Sequence, residues 1–131
     1  MVVTSEAMKD EEMFLEVVRV WVATAWADGA LADNEQRLLV GLIRAANVGD
    51  ETRARALGFL ARPLGLDEAP VDRFGARERQ GLYRTACKLT TVDGEIGPLE
   101  RAFLHRLRAH LGLDEATAAD IETHYLEPAK D

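Results

Sequence analysis

The feature that most constrains the fold is a repeat at a fixed shift of 65 residues. Asp28-Gly29-Ala30-Leu31-Ala32-Asp33-Asn34-Glu35 aligns with Asp93-Gly94-Glu95-Ile96-Gly97-Pro98-Leu99-Glu100. The correspondence continues through Leu38/Phe103, Leu39/Leu104, Leu42/Leu107, Ala46/Leu111 and Val48/Leu113, with Asn47 against Gly112 as helix stops. Five of the 21 aligned pairs are identical, and they fall on the turn and on the apolar face. A chain of this kind is expected to form two helix-turn-helix units, at about 13–48 and 78–113, across a pseudo-twofold axis.

Apolar residues elsewhere recur at helical spacing, and no useful length alternates with period two. Phe14, Val17, Val18, Trp21 and Ala25 form one stripe, flanked by Leu15, Val22 and Trp26. A helix apolar on so many sides is expected at the centre. Asp10 is its expected cap and Asp28-Gly29 its stop. A second helix is expected near Asn34 to Ala46. A third starts at Asp50 and ends at Arg62-Pro63. Residues 63–75, with Pro63, Gly65, Pro70 and Gly75, read as a loop holding at most one short turn. A fourth helix spans about Ala76 to Val92, and Pro98 opens a fifth that stops at Gly112. A last one runs from Asp114 to Pro128. The expectation is an all-α, single-domain bundle of five to seven helices over residues 1–131.

Composition narrows the function classes. Sixteen Lys and Arg against 23 Asp and Glu leave a net charge of -7, which repels phosphate backbones and disfavours nucleic acid. One cysteine makes neither an intrachain disulfide nor a thiolate metal cage. Glu6, Asp10, Glu11 and Glu12 stand where a signal peptide needs positive charge. The most apolar stretch, Val20 to Ala27, is too short to span a bilayer. A cytoplasmic protein without membrane insertion is therefore expected.

The repeated D-G-x-[LI]-x-x-x-E spacing matches the second half of an EF-hand calcium loop. The first half is missing, because Thr24 and Trp26, or Leu89 and Thr91, occupy positions that need Asp or Asn. Each unit is at best half a site. Two facing halves would gather Asp28, Glu35, Asp93 and Glu100, an oxygen-only set suited to Ca²⁺, Mg²⁺ or Mn²⁺. Asp28 and Asp93 are also expected at helix C-terminal ends, where the dipole disfavours negative charge and a cation would offset that cost. The same residues have a plainer use: Asp before Gly bonds its own turn, and Glu three residues into a helix closes a capping box. Both readings stand on the sequence.

Other residues carry less chemistry. Cys87 lies on an apolar helix face and reads as packing. His105, His110 and His124 lack a metal-binding or catalytic context, and Trp21 and Trp26 read as core. The Arg77, Arg84, Lys88, Arg101, Arg106 and Arg108 set reads as solvated helix faces. No phosphate loop or nucleophilic constellation is present, so an enzyme is not expected.

The paired motifs resemble the TerB-like, tellurite-resistance family. The first copy is ATAWADGALADNEQRLL; the second, TTVDGEIGPLERAFL, keeps Asp, Gly, the aliphatic residue and Glu but has Val92 in place of the small residue before Asp. The likeness runs from about Leu15 to Leu126. In both units the Ser or Asp usual three residues before Glu is replaced, by Ala32 and Gly97. The resemblance implies a compact helical domain, non-enzymatic, serving a stress response, with paired acidic residues holding a divalent cation and with protein partners. The alternative is a metal-free helical interaction module whose acidic residues only cap helices. A monomer or weak homodimer is expected in either case.

Overall fold

The first helix, α1 (Ser5–Ala25), starts upstream of the expected cap at Asp10 and ends before the expected stop at Asp28-Gly29. A computed structural model describes residues 5–27, 29, 31–91 and 96–125, with side chains from Glu11 onward. The sides of α1 serve two clusters. Val20 and Ala23 join one, while Leu15, Val18, Val22 and Ala25 join the other. The all-round apolarity of the sequence is thus used, as expected of a central helix.

The main neighbour of α1 is α4 (Ala76–Thr90). On one side of this pair, α2 (Asp33–Ala45) and α3 (Asp50–Gly58) enclose a cluster with Leu39, Ile43 and Ala56 at its centre. On the other side, α5 (Pro98–Leu111) and α6 (Glu115–Tyr125) enclose Phe103, Leu104, Leu107, Ala118 and Ile121. Each central helix also crosses to the other unit: α1 touches α5, and α4 touches α2. Leu31 and Ile96, the matched aliphatic residues of the two repeat copies, each pack onto the cluster of their own half. The chain is all-α, with six α-helices and no strand among the described residues.

Helix ends show where local signals were modified. Past Gly58, α3 tightens into a 3₁₀ turn, Phe59–Ala61, so its α-helical part is shorter than the sequence suggests. The loop before α4 holds one 3₁₀ turn, Leu66–Glu68, and lays Ala69, Val71 and Phe74 onto the α4–α5–α6 cluster. Pro98 opens α5, and Gly112 ends it in the left-handed conformation with φ 70°. The matched stop at Asn47 works differently. There α2 ends at Ala45, Ala46 is extended, and no non-glycine residue described has positive φ. Trp21, expected in the core, is only half-buried; it sits at the border of the two clusters with its ring edge-on to Phe14.

Both ends meet an arginine. The Ala46 carbonyl accepts from Arg53 Nη2 at 2.8 Å, and the matched Leu111 carbonyl accepts from Arg79 Nη1 at 2.9 Å. Arg79 also donates through Nε to Phe74 O at 2.7 Å and through Nη2 to Val71 O at 2.9 Å. One guanidinium thereby fastens the 71–74 loop and the end of α5 to α4. Its planar fork spreads five donors over three nitrogens, a wider reach than the single nitrogen of an ammonium. Arg79→Lys is expected to lower unfolding free energy by about 1.5–3 kcal/mol in a denaturant titration, as donors of a charged group are lost. A variant as stable as wild type would remove Arg79 from this role.

Candidate functional site

Four consecutive α-helices begin at residues whose side chains hold no acceptor: Ala32, Gly49, Gly75 and Gly97. A helix start leaves several N–H groups without intrahelical partners, and a polar cap normally takes one. Here a glutamate accepts instead from the N–H of the starting residue itself, and in α2 the inner Glu35 N–H is taken by Asn34 Oδ1 at 2.9 Å. Glu35 Oε1 accepts from Ala32 N–H at 3.3 Å, Glu78 Oε1 from Gly75 N–H at 2.6 Å, and Glu100 Oε1 from Gly97 N–H at 2.9 Å. Each of these glutamates is the third residue of its helix, the acidic half of a capping box. For α3 the donor of the carboxylate is distant. Glu11 on α1 accepts from Gly49 N–H at 3.0 Å and from the Thr52 hydroxyl. Among the described helix starts, only α6 caps itself in the ordinary manner, with Asp114 Oδ1 accepting from Thr117 N–H at 2.7 Å.

Of the four expected metal ligands, Glu35 and Glu100 are therefore helix-closing residues in matched places. Asp28 and Asp93 lie outside the described residues. Among the described residues no group of three His, Cys, Asp or Glu is arranged to hold a metal ion. Burial separates the glutamates into two kinds. Glu35 is 4% and Glu100 8% exposed, whereas Glu78, with the same cap geometry, lies at the surface. The repeat positions thus give their carboxylates an environment that capping alone does not require.

The other titratable groups of the interior are committed to packing. Cys87 is buried on α4, and burial first, with the Glu122 charge second, pushes its thiol up to about 12. Such a thiol is protonated and unreactive at neutral pH. Beside it, Tyr83 donates its hydroxyl to Glu122 of α6, whose carboxylate lies 4.0 Å from Arg108 of α5. Burial and that hydrogen bond raise the phenol above its usual range. This Tyr83–Glu122–Arg108 chain ties three helices together. Thr24 and Thr90, also buried, donate to the carbonyls of Val20 and Cys87. His110 Nε2 lies 2.8 Å from Ala69 O, while His105 and His124 are exposed.

Arg77, Arg84, Lys88, Arg101 and Arg106 are on outer faces as expected, with Arg106 standing over the Phe103 ring at 5.6 Å. Two structural residues escape a reading by local motif. Arg79 is visible in retrospect as a charge on the apolar stripe it shares with Leu82, Tyr83 and Ala86. Glu11 has no such signal, because its partners lie 38 and 41 residues away.

The described molecule is an all-α domain whose two buried carboxylates, Glu35 and Glu100, sit at helix starts. A family model covers residues 3–125, and the chain belongs to that family, a protein family of unknown function designated DUF533. By name it is distinct from the TerB-like family that the motifs resemble. No curated protein and no solved structure matches the chain. Among the described residues, no helix is long and apolar enough to cross a membrane.

Two outcomes follow from these groups. Glu11 is held below its usual 4.5, chiefly by the Thr52 hydroxyl and then by Gly49 N–H. A depressed folded-state value means that its contribution is present above the ordinary carboxylate range and is lost as pH falls through the lowered value. Melts between neutral pH and pH 2 should show a shallower acid decline for Glu11→Gln than for wild type, from a lower starting stability. Equal slopes would detach α3 from this contact. Cys87, in turn, should be alkylated by iodoacetamide in denaturant but not in the native state at pH 8. Prompt native labelling would contradict its burial.

Proposed function

We propose that this chain is a non-enzymatic, TerB-like helical module that acts through protein contacts in a stress response, with repeated acidic residues shaping its two turns. The observation that carries this reading is the shared use of glutamate at helix starts whose capping residue is alanine or glycine. Glu78 does for α4 what Glu35 and Glu100 do for α2 and α5, although no Asp-Gly repeat precedes α4. The repeated glutamates therefore have a structural use that calls for neither a metal nor a substrate. The interior thiol and phenol likewise serve packing, which leaves the outer surface for partners.

A second reading has its own support. The burial of Glu35 and Glu100, against the exposure of Glu78, favours a divalent cation shared with Asp28 and Asp93. Ca²⁺, Mg²⁺ or Mn²⁺ fits an all-oxygen set. Thermal melts with chelator or millimolar Ca²⁺ or Mg²⁺ distinguish the two, since an ion bound only by the native state raises the melting temperature. The metal-free reading expects no metal-dependent shift in wild type. It also expects Glu35→Ala and Glu100→Ala each to cost about 1 kcal/mol or more as a helix start is opened, with Gln retaining most of that. A shift in wild type that Asp28→Asn/Asp93→Asn abolishes would replace it with the cation-binding reading.

A further inference from the structure

A cleft of about 350 Å³ opens between the end of α1, the 64–67 segment and α5. Trp26 and Leu66 supply its open apolar surface, with Leu64 and Phe103 buried behind it, and two opposite charges, Asp67 and Arg106, belong to its lining. Both charged residues are exposed, and they make no salt bridge with each other or with any other described residue. Arg106 instead rests over Phe103, which keeps its guanidinium at the cleft. The Asp67 carboxylate lies close against Gly65, where a Cβ would come within 2.8 Å of Asp67 Oδ1.

A small hollow whose open surface is part apolar and part polar, with exposed opposite charges in its lining, has the anatomy of a protein-contact anchor site: apolar surface for one side chain, with polar groups beside it that select what flanks it. The volume is near the lower end of the roughly 300–1,000 Å³ of small-molecule sites and has room for one large side chain. We infer that this cleft receives a single aromatic or aliphatic side chain of a partner peptide that is flanked by one basic and one acidic residue, set against Asp67 and Arg106 respectively. The commitment to a mixed-charge peptide comes from the rim, because a purely acidic or purely basic flank would satisfy one charge and oppose the other.

The inference rests on the interaction-module reading, and it is tested separately from the melts that examine the glutamates. The probes are end-blocked tripeptides, Lys-Phe-Glu, Lys-Phe-Lys, Glu-Phe-Glu and Lys-Ala-Glu, titrated into the ¹⁵N-labelled full chain. The readout is the indole N–H resonance of Trp26, with Trp21, which does not line the cleft, as the internal control. Wild type should bind Lys-Phe-Glu most tightly, with a movement of the Trp26 signal alone. Removal of the anchor in Lys-Ala-Glu should abolish that movement. Each mismatched like-charge flank should weaken binding by about threefold, the scale of an exposed charge pair. Asp67→Lys should move the preference to Glu-Phe-Glu, and Arg106→Glu to Lys-Phe-Lys. Both substitutions are at exposed positions, and an unchanged melting temperature confirms that each variant is folded. No movement of Trp26 with any peptide, or a preference that ignores the charge substitutions, overturns the inference and leaves the role of the glutamates as the melts find it.

Discussion

The packing of α1 against α4 is the constraint on which the other helices depend. Each of these two helices places apolar residues in both clusters: α1 through Val20 and Ala23 on one side and Leu15, Val18 and Val22 on the other, α4 through Leu82 and Ala86 against Leu89. Neither could stand at a surface without exposing one of its stripes. Each buried aliphatic side chain contributes about 1.5–3 kcal/mol relative to exposure. The remaining helices are held by the faces that this pair presents. Thus α2 and α3 cover one side, and α5 and α6 the other.

Between the clusters and solvent, the chain relies on charged side chains to finish helices that glycine and alanine begin. Glu35, Glu78 and Glu100 each reach back within their own helix, whereas Glu11 reaches across from α1 to α3. At the opposite ends, Arg53 and Arg79 donate to the matched carbonyls of Ala46 and Leu111. An unpaired backbone group away from water costs about as much as a lost hydrogen bond, so these contacts fix where each helix may start and stop. The two halves reach similar ends by unlike means. Ala46 is extended where Gly112 is left-handed, and Gly49 needs a distant acid where Asp114 supplies its own.

This economy of charge bears on function. A buried carboxylate, thiol or phenol is where catalytic chemistry is ordinarily sought. In this fold Cys87 is shielded, Tyr83 is engaged with Glu122, and Glu35 and Glu100 hold helix starts. Charges without such an engagement are found at the surface, and at the cleft beside Trp26 two of opposite sign border apolar walls. That distribution supports the proposal that the domain acts by recognising another chain.

How much was legible follows the range of each interaction. Helix spacing, the loop at 63–75, the proline at the head of α5 and the glycine at its end involve residues within a turn or two, so the sequence by itself determined the all-α fold and most helix positions. The glutamates at 35 and 100 were legible as cap residues for the same reason, since their partners are three residues away. The burial that sets them apart from Glu78 was not, because it depends on what packs around each helix start. Glu11 with Gly49, Arg79 with Leu111 and Tyr83 with Glu122 join residues 32 to 39 positions apart, and no local pattern encodes those pairs. Tertiary structure alone decided them, as it decided that Trp21 lies at a border and that Asp67 and Arg106 share one cleft. Hydrogen bonds within a helix depend on a few neighbouring dihedrals, whereas these contacts exist only once α1 and α4 have fixed where every other element lies.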